Sequence, residues 1–366
     1  NGGGMHNGNG SNPVLTNVSF GGNAAAADGG GMHNYPSSSP ALTNVAFIDN
    51  AAGVDGGGMS NGDSNPTLTN VSFSRNTADN YGGGIYNWNS PPTLTNCILW
   101  GDAPDEIHNS SSTPVVTYSD VQGGYPGETN IDADPLFVDV DDGDLRLQLT
   151  SLCIDAGNND APGLADVTTD LGGHSRFIDV PSMPDAGNGD PPIVDMGAHE
   201  APPAVIFVDQ DAVGEDNGQS WDDAFTDLQD ALAWALSGVE IWVAAGTYTP
   251  TWQFDTGDPR SAAFQMVNGV AIYGGFDPSV GDDEWEERDW VNNVTILSGD
   301  IGTEDDASDN SYHVFYHQEV VLDSTAILDG FTITGGNANI EDINSPHQHG
   351  GGMHNDATSP ALANIT

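Results

Sequence analysis

Apolar residues return along the first hundred positions every 26 or 27 residues, and always in the same company. Met5, Met32, Met59 and Ile85 each follow a run of glycines. Leu15, Leu42, Leu68 and Leu94 come next, then Val18, Val45, Val71 and Cys97, then Phe20, Phe47, Phe73 and Leu99. A further copy, Gly350 to Met353 with Leu362 and Asn364, lies near the other end. A fixed period of this length is the mark of a solenoid, in which each repeat buries its apolar face only by stacking on the next. The leucine-rich repeat has a similar period, but its L-x-x-L-x-L spacing is absent.

Side-chain phase selects the kind of solenoid. In Leu15-Thr-Asn17-Val-Ser-Phe20 a strand would place Leu15 inward and Thr16 outward. Unbroken alternation would then bury Asn17 and expose Val18. The pattern makes sense if Asn17 turns the chain through the left-handed conformation, which Asn tolerates best after Gly, so that Val18 and Phe20 both face inward. The same bend is expected at Asn44, Asn70, Asn96 and Asn364, giving an Asn ladder bonded from rung to rung. The fold class that follows is all-β: a right-handed parallel β-helix. Its four apolar columns supply most of the stability, at roughly 1.5–3 kcal/mol for each buried Leu or Phe.

Between residues 220 and 238 the period changes. Phe225, Leu228, Leu232, Ala235 and Leu236 form an apolar stripe, Ser220 is placed to cap its start, and Gly238 to end it. This predicts a short capping α-helix over an open end of the solenoid.

Charge narrows the partners. The chain has no lysine, five arginines and 54 carboxylates, a formal charge of −49. Such a surface repels phosphate backbones and anionic lipid, which argues against nucleic acid and membrane insertion. It suits divalent cations or high salt. Cys97 and Cys153 allow at most one disulfide, no apolar run is long enough to span a bilayer, and the first residues do not read as a signal peptide.

Candidate chemistry is sparse. Asp139, Asp141, Asp142 and Asp144 alternate around a glycine, the makings of a Ca²⁺ site without full EF-hand spacing. Glu304, Asp305, Asp306 and Asp309 form a second acidic loop. His6, His33 and His354 occupy one repeat position and, with His347 and His349, have the residue types for a transition metal, though a plain surface column explains them better. Sequons at Asn17, Asn70 and Asn364 fall on the ladder, leaving Asn109 and Asn293 as glycosylation candidates. A polysaccharide lyase would need a basic residue beside clustered acids, and only Arg75 and Arg146 lie near the repeat strands or acidic loops. No catalytic residue is singled out.

The Gly-Gly-x-hydrophobic motif paired with Phe-x-x-Asn (Phe20 to Asn23, Phe47 to Asn50, Phe73 to Asn76) resembles the repeats of polymorphic outer-membrane proteins. The whole chain resembles bacterial surface β-helix proteins of the choice-of-anchor type, in the pectate-lyase-like group. The resemblance implies that Ile206–Asp209, Trp221–Phe225 and Ile241–Tyr248 open a domain, whereas Asp132–Phe137, Cys153–Asn158 and Val194–Glu200 close one. The closing segments come first. Residues 1–121 are therefore expected to be the back half of one unit, 122–200 its closing region, and 201–366 the front of the next. The expectation is an extracellular, cell-surface structural or adhesive module, not an enzyme, whose partners are further copies arranged head to tail and glycans or a host surface. A carbohydrate-active enzyme or glycan binder is the alternative.

Overall fold

Each repeat makes one turn of a parallel coil, and the columns read from the sequence are columns in space. In the computed structural model Met5 pairs with Met32, Met32 with Met59, Met59 with Ile85, and Ile85 with Ile107. Residues 1–304, 306–318, 320–340 and 345–366 are described. They divide into two compact units, Asn1–Ala201 and Pro202–Thr366.

The first unit is a parallel β-helix of three sheets. One holds Met5–Asn7, Met32–Asn34, Met59–Gly62, Ile85–Trp88 and Ile107–Ser110. The second holds the long strands Val14–Gly21, Ala41–Ile48 and Thr67–Ser74, continued by shorter ones as far as Asp120–Val121. The third is narrow: Ala24–Ala25, Ala51–Ala52 and Thr77–Ala78. The Leu, Val and Phe columns fill the interior. Phe20, Phe47 and Phe73 stack at 4.9 and 4.7 Å, nearly parallel.

The bends have the proposed geometry. Asn17, Asn44, Asn70 and Asn96 have φ between +51° and +57°. The glycine runs are needed for two separate reasons. Gly29 and Gly56 have φ of +70°, and a Cβ on Gly30 would lie 2.4 Å from the carbonyl oxygen of Gly57 on the next rung.

Two further ladders run through the interior. Asn7, Asn34, Asn61, Asn87 and Asn109 each donate to the next at 2.8–3.0 Å, and Asn109 donates to the Tyr125 hydroxyl. Asn23, Asn50 and Asn76 do the same and end on the Asp102 carboxylate. Burial first, and the Glu106 charge second, push the Asp102 carboxyl well above its ordinary range.

Residues 122–200 belong to the same compact unit as the repeats. After the antiparallel pair Phe137–Asp139 and Asp144–Leu147, this stretch is mostly turns laid over the outer face of the second sheet. Ile98, which points away from the interior, is buried under Cys153, Ile154, Val180 and Met196. Thr43 and Thr69 also point outward, yet both are buried, and the Thr69 hydroxyl donates to the Pro162 carbonyl at 2.6 Å. Both cysteines are free and buried.

The second unit repeats the architecture. Val205–Val208, Glu240–Ala244, Ala271–Phe276, Ile327–Asp329 and Ala361–Ala363 form one parallel sheet, and Gly246–Tyr248, Thr295–Ser298 and Phe331–Thr334 another. The helix is shorter than the stripe implies, spanning Leu228–Trp234. Asp227 caps it by accepting from the Gln229 amide, whereas Ser220 caps a separate turn by accepting from the Asp223 amide. Phe225 has already left helical geometry, pairing as a bridge with Val208. Leu228, Ala231, Leu232 and Trp234 are buried, and the helix packs on the first two strands of the unit.

Candidate functional site

On the outer face of the first sheet, the residue after each Met or Ile position points away from the core. These residues are His6, His33, Ser60, Tyr86 and His108, paired in register across five rungs. Two residues further on stand Tyr35, Gly62 and Trp88. The Asn residue between the two columns is the interior ladder, which fixes the sheet beneath them.

Gly62 shapes the centre of this face. A Cβ there would lie 2.8 Å from the Tyr35 ring and 3.5 Å from the Trp88 ring. Without one, the two rings lean together to a centroid distance of 6.4 Å at 41°. Tyr35 remains 43% exposed and Trp88 44%, so this aromatic surface is open to solvent. Further along, Tyr81 and Tyr86 flank His108 at 4.3 and 5.7 Å. With rungs about 4.8 Å apart, five of them give a face about 20 Å long.

The rings border a groove of about 390 Å³ whose lining includes Asp28, Asp55, His33, Ser60 and Asn61. Asp28 and Asp55 each precede the glycine run of their repeat, so the period itself places one carboxylate on each of two adjacent rungs. Asp55 is half-buried and its Oδ1 has no hydrogen-bond partner. Burial, then the charge of Asp28, raises its carboxyl above the usual range. His33 stacks on His6 with the two Nδ1 atoms 3.0 Å apart. Burial, reinforced by His6, pushes His33 down to about 4, so it is neutral at pH 7. The groove therefore combines exposed aromatic faces with acceptors and neutral donors, the lining of a site for a polyhydroxylated ligand.

Residues singled out from the sequence lie elsewhere. On the Asn ladder, Asn44 donates to Asn17 at 3.0 Å and Asn96 to Asn70 at 3.1 Å. Oδ1 of Asn44 is left without a partner, and the buried guanidinium of Arg176 enters beside Asn70. Asn44 and Asn96 also donate to the carbonyls of Thr169 and Asn158. The ladder is thus also the seam that holds the closing region. Asn17 and Asn364 are exposed, contrary to the expectation that every ladder sequon is hidden.

The acidic loop at 139–144 does not converge on one point. The Asp139 carboxylate accepts from the backbone amides of Asp141 and Asp142, Asp141 pairs with Arg75, and Asp144 pairs with Arg146 at 2.7 Å. Two of the four carboxylates thus already have a cation in the chain itself. Arg75 also holds Asp49, and neither arginine lines the groove, so neither stands as a lyase base beside Asp28 and Asp55. In the second acidic loop Asp305 lies outside the described residues. The two glycosylation candidates are engaged: Asn109 closes an interior ladder, and Asn293 is buried with its amide donating to Asp282 at 2.9 Å. Within the second unit His347 and His354 cluster with His313.

The aromatic groove was missed in the sequence because Tyr35, Gly62 and Trp88 are the repeat's variable positions. Aligning the repeats by rung, rather than by columns that match, exposes them.

No family model matches the chain, and no curated protein matches it. A solved structure of the PL6-family alginate lyase AlyGC, in mutant form, matches with 11% identity and a TM-score of 0.20 over 96% of this chain. The match covers 53% of the lyase, so the chain spans about half its length.

Proposed function

We propose that this chain is an extracellular adhesive β-helix module that binds a neutral or amino-sugar glycan along the outer face of its first sheet. The observation that carries this reading is the open aromatic pair Tyr35 and Trp88, leaning together over Gly62 beside the carboxylates of Asp28 and Asp55. Sugar rings present apolar C–H faces and polar rims, and the groove offers ring faces beside hydrogen-bonding groups in that arrangement. The excess of carboxylates disfavours polyuronates such as alginate or pectate and tolerates uncharged or cationic sugars. The resemblance to surface β-helix proteins agrees with an adhesive role outside the cell.

Catalysis is the second reading, favoured by the carboxylates of Asp28 and Asp55 on adjacent rungs. An array of neutral, amino-sugar and uronate oligosaccharides tests both. Retention of neutral or amino-sugar chains without product release supports adhesion. Cleavage suppressed by Asp55→Asn would establish an enzyme, and retention of uronates alone would overturn the stated specificity.

A further inference from the structure

The closing region holds a carboxylate with one oxygen that the fold leaves without a hydrogen bond. Asp155 is fully buried, sits at φ of +52°, and its Oδ1 makes no hydrogen bond. Oδ2 accepts only a long bond, 3.4 Å, from the Val180 amide. The chain between residues 179 and 187 wraps back onto this residue, with the amides of Ala186 and Gly187 donating to the Asp155 carbonyl at 2.9 and 3.0 Å. That loop brings two exposed carboxylates, Asp179 and Asp185. One oxygen from each of the three residues lies within 4.8 Å of the others.

A buried carboxylate with an unused oxygen is costly, and two more negative charges beside it make it costlier. Burial first, then the Asp195 charge, pushes the Asp155 carboxyl up to about 7. A cation at the point where the three oxygens meet would offset the negative charge gathered there. Two oxygens bound to one Ca²⁺ at 2.3–2.6 Å are at most about 5 Å apart, so the spacing fits. Three hard oxygen donors, two of them reachable from solvent, suit Ca²⁺ with water completing its shell better than a thiolate- or imidazole-seeking metal.

We propose that Asp155, Asp179 and Asp185 bind a calcium ion that clips the 179–187 loop to the wall of the closing region. The site is separate from the acidic loop at 139–144 and from the aromatic groove, and it does not depend on glycan binding.

The test is thermal melting of the intact chain in EDTA, in millimolar CaCl₂, and in NaCl of matched ionic strength. Calcium raises the melting temperature of the native chain well beyond the NaCl control, as a native-state ligand must. Asp155→Asn melts no lower than the native chain in EDTA and loses most of the calcium-dependent rise. The double variant Asp179→Asn, Asp185→Asn changes only exposed side chains, so it decides the matter if Asp155→Asn folds poorly. Its calcium affinity by titration calorimetry falls at least tenfold. A full calcium response in the double variant, or a native response no larger than that to NaCl, overturns the site.

Discussion

Two of the three outer faces of the first unit are built from the same repeat and have opposite fates. The face carrying Thr43, Thr69, Ser72 and Ile98 is roofed by the closing region, and all four residues are buried. The face carrying Tyr35, Tyr86 and Trp88 is not covered by the closing region, and its rings meet solvent. In a solenoid the inward columns supply the stability, so outward positions are free to vary. Here one outward face is used for folding and another stays open to solvent.

Arg176 gives the sharpest contrast. It is fully buried between the Asn ladder and the closing region, and donates to the carbonyls of Asp195 and Gly197 at 2.9 Å. Its Nε lies 3.5 Å from the buried Glu200 carboxylate. Arg176→Met removes one partner of a buried pair and strands the other, and is expected to destabilise by about 3–5 kcal/mol in denaturant titration. On the open face, Trp88→Ala should change stability by less than about 1 kcal/mol. Similar losses from the two substitutions would erase the distinction between the faces.

The roofed face also predicts a pH dependence. Asp120 lies under the closing region with Cys153 Sγ 3.3 Å from its Oδ2, and burial pushes it up to about 7. A carboxyl whose folded-state pKa lies above its unfolded value binds its proton more tightly when folded. Its contribution is therefore complete below pH 4 and lost as pH rises from about 4 through 7, on the order of 2–4 kcal/mol. Asp120→Asn should reduce the slope of the stability–pH curve in this window, leaving the share that Asp155 contributes. An unchanged curve would mean that Asp120 is not desolvated by the roof.

Smaller effects grade the seam itself. Asn44→Leu removes the amide that donates to Asn17 and Thr169 and should cost about 1–3 kcal/mol. Thr69→Val removes only the bond to Pro162 and should cost about 1 kcal/mol. On the strand pattern alone, an outward Thr would be nearly neutral. Roofing is what makes Thr69 matter, and equal stability of Thr69→Val and the native chain in thermal melts would show the roof to be loosely held there.

What the sequence discloses follows from repetition. The columns at Met32, Leu42, Val45 and Phe47 recur, so period and phase reveal them, along with the left-handed bend at Asn44. The ladder from Asn7 to Asn109 recurs equally, two residues after each Met or Ile, and was legible by the same logic. The closing region occurs once, so no second copy shows that Ile98 or Thr69 is covered, or that one Asp155 oxygen lacks a hydrogen bond. Helix capping failed locally: Ser220 and Asp227 are both good caps, and the backbone between them is committed to a turn and a bridge at Phe225 before the helix begins. The groove depends on differences between repeats, Tyr35 against Gly62 against Trp88, which a search for similarity discards.

On the proposed function, the open face binds sugar through its aromatic pair. The direct measurement is titration calorimetry of the intact chain with neutral and amino-sugar oligosaccharides, set beside the variant Tyr35→Ala, Trp88→Ala. Saturable binding of at least one neutral or amino-sugar chain is expected, with at least a tenfold loss in the variant and a nearly unchanged melting temperature. Undiminished binding in a folded variant, or no binding by the native chain to any such sugar, would contradict it.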